Sequence, residues 1–113
     1  MKKKKSKKIV SAIPDNTGFE VTVRRFTEAP VDKKFVLRDG RILKDLKELA
    51  DAFEHMSDDI FKHHVNPAKN DFSAWASEVL HEKELSEDLE KIDNQLHAQI
   101  AVLKHIAKKV FER

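Results

Sequence analysis

Residues 83–112 read KELSEDLEKIDNQLHAQIAVLKHIAKKVFE, and within them Leu89, Leu96, Leu103 and Val110 stand seven apart, with Leu85, Ile92, Gln99 and Ile106 on a second seam. Two seams kept in register over four heptads predict one continuous helix whose apolar edge faces another helix. At 1.5 Å per residue such a rod reaches about 45 Å, more than a domain of this size can cover along its length. Part of the edge is therefore expected to face another chain, which makes Leu89, Leu96, Gln99, Leu103, Ile106 and Val110 candidate partner-binding residues. In the second half the stripe widens to Ile100, Val102, Ala107 and Phe111, a pattern for packing against more than one neighbour. Gln99, polar in a seam, can favour one register by pairing with a partner's glutamine at some cost in stability. The alternative is that the helix folds against its own body, since short heptad matches also occur inside ordinary bundles.

Upstream of that rod the pattern is compact. Phe72, Trp75, Ala76, Val79 and Leu80 fall at i, i+3, i+4, i+7 and i+8, one apolar helix face, with Asn70 and Asp71 placed to cap it. Ser57, followed by Asp58 and Asp59, predicts the start of a short helix through Ile60 and Phe61 to about Val65, stopped by Asn66-Pro67. Ile42, Leu46, Leu49, Phe53 and Met56 predict an earlier helix over 45–56. Asp39-Gly40 lies between Phe35-Val36-Leu37 and Arg41-Ile42-Leu43, and predicts a hairpin with a type I′ turn, positive φ being expected at both central positions. Phe19, Val21 and Val23 alternate with Glu20, Thr22 and Arg24, as in a half-buried strand. The expected fold is mainly α: a short N-terminal antiparallel β-ribbon, three compact helices and a long C-terminal heptad helix. Residues 1–18 read as a disordered basic tail and linker, 19–82 as the compact ribbon-plus-helices domain, and 83–113 as the association helix.

Charge separates the tail from the rest. The net charge of 113 residues is +2, and Lys2, Lys3, Lys4, Lys5, Lys7 and Lys8 contribute six positive charges, so the remainder carries 2 − 6 = −4. A lysine run of this kind attaches to polyanions by displacing condensed counterions, without reading base sequence, so nucleic acid or a ribosome-like surface is the partner expected for these six residues. Its other reading is a solubilising end. Ile9 to Ile13 is too short for the apolar core of a secretion signal and is followed at once by Pro14. No stretch approaches the 18 apolar residues of a membrane span. Cysteine is absent, which removes disulfides, thiolate metal sites and cysteine nucleophiles, and suits a reducing cytoplasm.

Catalytic signals are sparse. His55, Asp59 and His63 would share a face only on an unbroken helix, and Ser57 is expected to break it, so no metal ligand set is assigned. His81-Glu82 opens like a zinc-protease helix, but Leu85 stands where the second histidine is required. His97 and His105 read as solvent-facing or interfacial. Two glycines leave no room for a phosphate-cradling loop, a dinucleotide fingerprint or a nucleophile elbow. No cofactor or small-molecule substrate is expected, and a histidine-based metal enzyme stands as the contrasting class. Trp75 reads as a core anchor.

The segments Phe35-Val36-Leu37-Arg38-Asp39-Gly40-Arg41, Leu46-Lys47-Glu48-Leu49-Ala50-Asp51-Ala52, His63-His64-Val65-Asn66 and Lys69-Asn70-Asp71-Phe72 with Trp75 together resemble a small uncharacterised domain of archaeal and bacterial proteins. The resemblance covers about residues 35 to 90 and leaves out the tail and the heptad helix. It implies no activity or cofactor. It does imply that His64, Asn70, Asp71 and Trp75 act together, as a polar network joining two helices through the 66–70 loop. The usual Trp-Ile pair stands here as Trp75-Ala76. The function expected is a non-catalytic adaptor, self-associating or docking through its C-terminal helix and holding nucleic acid or a ribonucleoprotein through its lysines. A purely structural protein–protein module is the plainer version.

Overall fold

The computed structural model describes residues 26–111. The six tail lysines and the strand expected at 19–24 lie outside the described residues. Among those described, the protein is mainly helical, with five α-helices and two short hairpins.

After a single 3-10 turn, Val31–Lys33, the strands β1 (Phe35–Val36) and β2 (Ile42–Leu43) pair antiparallel, with Phe35 opposite Leu43 and Val36 opposite Ile42. The period of two divides them: Phe35 and Leu43 are buried, while Val36 and Ile42 are each 59% exposed. The turn departs from the expected type I′. Gly40 has φ +95°, but Asp39 keeps a negative φ. The Gly40 N–H donates to Leu37 O at 2.8 Å and the Leu37 N–H to Arg41 O at 2.8 Å, which closes a wider loop with glycine alone in the left-handed region. The Asp39 carboxylate accepts the Arg41 N–H at 3.1 Å and Arg41 Nε at 2.9 Å, a side-chain turn that spares its own backbone the strained conformation.

The first three helices start on side-chain caps. Asp45 accepts the Glu48 N–H at 2.9 Å at the head of α1 (Leu46–His55), and Ser57 accepts the Ile60 N–H at 3.3 Å at the head of α2 (Asp58–His64). The chain then forms β3 (Val65–Asn66) and β4 (Lys69–Asn70), a second small hairpin where the sequence reads only as a loop. Asn70 accepts the Ser73 N–H at 2.9 Å and opens α3 (Asp71–Glu78). The core is aromatic at its centre: Phe72 is fully buried, with its ring centroid 4.9 Å from those of Phe35 and Phe53 and 6.2 Å from that of Phe61.

A long C-terminal helix is present as expected, but the predicted rod is broken at 91–94. Instead of one helix over 83–112 there are α4 (Lys83–Glu90) and α5 (Gln95–Phe111). The reason is local: Asn94 accepts the His97 N–H at 3.0 Å through Oδ1 and the Ala98 N–H at 2.9 Å through its carbonyl, so it is the cap of a new helix. Heptad spacing survives the break because Asp93 and Asn94 fall between seam positions, where a periodicity count is blind to them. The break lets α4 pack on α3 and α5 turn onto α1. Ser73 and Ser86 lock the first contact by donating to each other's carbonyl at 2.8 Å. Gln95 Nε2 locks the second, donating to Phe53 O at 2.7 Å and Met56 O at 2.9 Å, carbonyls freed at the end of α1.

Candidate functional site

Among the described residues, two buried histidines and one exposed helix face stand out as places for chemistry or recognition. His64, at the end of α2, is 5% exposed and packs beside the stacked rings of Phe35 and Phe72, at 5.1 and 5.4 Å. Its Nε2 is 3.1 Å from the Arg38 backbone N–H, which can only donate, so Nε2 is the acceptor and Nδ1 carries the proton. That proton is donated to Asp71 Oδ2 at 2.9 Å, and Lys69 Nζ donates to the same oxygen at 2.8 Å. Burial pushes the Asp71 carboxyl up, but the hydrogen bonds from Lys69 and His64 outweigh it and hold the group below the usual carboxylate range.

An Asp–His pair can serve as a general base only if the far nitrogen keeps a free lone pair. Here the hairpin amide occupies it. The arrangement ties the β1–β2 turn, the end of α2 and the start of α3 together. Asn70 and Trp75 do not join this pair: Asn70 Nδ2 donates to Leu89 O at 2.9 Å, closing the end of α4, and Trp75 Nε1 donates to Lys33 O at 2.9 Å from a buried ring. The network implied for His64, Asn70, Asp71 and Trp75 is thus one coupled pair and two separate ties. His63, beside it, is exposed. Desolvation, then the nearby His64, Arg38 and Lys69, lower its affinity for a proton.

His105 is the second buried histidine, against the expectation of a solvent-facing or interfacial side chain. Its Nε2 is 2.9 Å from Glu82 Oε1, both groups being 8% exposed, and Glu82 Oε2 accepts from Lys109 Nζ at 2.8 Å. Lys109 also stands 5.5 Å over the ring of Phe26. This clasp fastens α5 to the turn between α3 and α4, where His81 takes φ +59°. Nothing in the sequence marks it, because Glu82 and His105 are 23 residues apart and share no periodicity.

The third feature is the outer side of α5. Ala98, Val102 and His105 are buried. Away from them, Leu96 is 60% exposed, Ile100 40%, Leu103 48% and Phe111 80%, and Ala107 is exposed with them. Their spacing of four, three, four and four makes a single stripe along the helix. Of the candidate partner-binding residues, Leu96 and Leu103 lie in this stripe. Gln99, Ile106 and Val110 are half-buried along its border, and Leu89 is 1% exposed, inside the chain's own core. On the opposite border Lys104 and Lys108 share a groove of about 500 Å³ with Glu84 and Asp88 of α4, and Lys108 Nζ reaches both Glu84 carboxylate oxygens at 3.1 Å.

A larger open groove, about 1060 Å³, runs between the β3–β4 hairpin and α3–α4. Its Asn70, Ser73 and Ser86 are spent on the internal bonds described above, and its rim mixes Lys62, Lys69 and Lys91 with Glu78, Glu90 and Asp93. Among the described residues no group of three or more His, Cys, Asp or Glu is placed to hold a metal ion, and no helix is long and apolar enough to cross a membrane.

A family model described as "Family of unknown function (DUF5752)" matches residues 41–113. The match takes in all five helices, so it runs past the 35–90 span of the sequence resemblance and includes the C-terminal helix; Asp39 and Gly40 fall just outside it. No curated protein and no solved structure matches the chain.

Proposed function

The chain belongs to this family of unknown function, DUF5752, and from that premise we propose that it is a non-catalytic binding protein that docks through the outer face of α5. One observation carries the reading: four large apolar side chains of one helix, Leu96, Ile100, Leu103 and Phe111, stand in water along a single line. Scattered exposed apolar residues need no explanation, but a contiguous stripe on an otherwise well-packed helix is the mark of a surface that is covered in use. Further support comes from His64, whose nitrogens are both committed to structural bonds.

In this proposal the six lysines of residues 2–8 supply the second contact, to nucleic acid or a ribonucleoprotein in the cytoplasm. Their pairing with six phosphates predicts a log–log salt slope near about −5. Joining the two contacts in one chain raises avidity without new interactions.

The test is recovery of the native complex from cells at low salt, with wild-type protein and with Leu103→Asp. The wild type is expected to carry a protein or ribonucleoprotein partner that the variant loses. Identical recovery by both would refute docking through α5, and nucleic-acid binding unchanged by deletion of residues 1–8 would refute the role given to the lysines.

A further inference from the structure

We infer that the occupant of the α5 stripe is a second copy of this chain, with the two α5 helices packed antiparallel. The inference rests on the docking role proposed for α5 and goes further by naming the partner. Two features of the stripe support it.

The first is steric. Along the helix the stripe runs Leu96, Ile100, Leu103, Ala107, Phe111. Folded about Leu103 against an inverted copy, it sets Ile100 beside the small Ala107 of the other chain and Leu96 beside Phe111, with the two Leu103 side chains meeting at the axis. Ile100 against Ala107 sets large against small, as in interdigitating helices, Leu96 against Phe111 closes each end, and a two-fold axis requires one patch to fit itself.

The second is electrostatic. Between Gln95 and Phe111 the helix has no acidic residue, which on its own would favour an acidic partner and disfavour a copy. The basic border, however, is matched inside the chain: Lys104 and Lys108 share their groove with Glu84 and Asp88, and Lys108 is bound to Glu84. Lys91 lines the same groove, so that edge carries three lysines against two acids, and a second copy meets a single excess positive charge per chain instead of a row of unmatched lysines. The antiparallel arrangement also opposes the two helix dipoles.

A contact between helices of 17 residues lies at the small end of specific interfaces, so a weak, concentration-dependent dimer is expected.

The test is sedimentation equilibrium of the full chain from 1 µM to 1 mM, together with Leu103→Asp and the single-cysteine variants Leu96→Cys and Leu103→Cys, which the cysteine-free sequence makes unambiguous. Expected are a monomer–dimer equilibrium in the wild type and at least about tenfold weaker dimerisation for Leu103→Asp, since pairing would bury two carboxylates. Under oxidation the Leu103→Cys variant should form a disulfide-linked dimer and the Leu96→Cys variant should not. Comparable cross-linking of both variants would overturn the antiparallel pairing. A wild-type monomer at every concentration, or one that dimerises only after residues 1–25 are removed, would overturn the second copy as occupant. Either monomer result leaves docking through α5 to be judged by the recovery experiment, where loss of a different protein from Leu103→Asp would sustain it.

Discussion

The two halves of the heptad region end in opposite situations. Leu85 and Leu89 of α4 are buried against α3, whereas Leu96 and Leu103 of α5 look outward, although all four belong to the same seven-residue pattern. A seam residue and a core residue have the same chemistry; what separates them is the turn at 91–94, where Asn94 begins a new helix and rotates the second half away from the first. Periodicity reports that an apolar edge exists. The caps decide which partner it meets.

That difference is open to attack by substitution. Leu89→Ala should destabilise the monomer by about 2 to 5 kcal/mol, the range for emptying a core leucine site, while Leu103→Ala should change monomer unfolding by less than about 0.5 kcal/mol. Urea denaturation at low micromolar protein measures both. Equal losses would erase the distinction between the halves.

Next in size is the clasp that seats α5. Glu82→Ala leaves the His105 and Lys109 side chains facing each other without their shared acceptor, and a loss of about 3 kcal/mol is expected, with exchange of α5 amides rising before those of α1. A uniform rise across the molecule would show that α5 has no separate stability.

At the α2–α3 junction, Asp71→Ala removes the acceptor of the buried His64 proton and should cost about 1 to 3 kcal/mol. The sign of its pH dependence follows from the lowered carboxyl pKa: the contribution is complete above the ordinary value of 3.8 and disappears as pH falls through the lower folded value. Asp71→Asn should therefore flatten the decline of melting temperature below pH 4 and leave the neutral range without a slope from this group. A decline below pH 4 as steep as the wild type's would remove Asp71 from the explanation of acid unfolding.

Smallest is the cap at the break. Asn94→Ala should cost about 1 kcal/mol, since the turn is also held by Gln95 on the α1 carbonyls. Circular dichroism should show no gain of helix; a gain would mean that 83–111 can close into the rod its heptads describe.

Much of this arrangement is legible in the sequence because it is local. Ser57 and Asn70 announce their helices, the 3.6-residue spacing of Phe72, Trp75 and Ala76 fixes the buried face of α3, and Asp39-Gly40 places the hairpin even though the turn differs from type I′. What escapes is long-range. Glu82 meets His105, Gln95 meets Phe53, and Asn70 meets Leu89 across loops that carry no periodic signal. The outer stripe is half visible: Leu96 and Leu103 stand out as seam residues, but whether that seam faces the body or the solvent depends on the rotation set at Asn94.

The most direct test of the divided edge is thiol accessibility in two single-cysteine variants of the full chain, Leu89→Cys and Leu103→Cys. At 1 µM protein, the thiol introduced at position 103 is predicted to react with a thiol reagent at close to the rate of a free peptide, and the one at position 89 at least about a hundredfold more slowly, through opening of the fold. Protection at position 103 comparable to that at position 89 at this dilution would contradict the account.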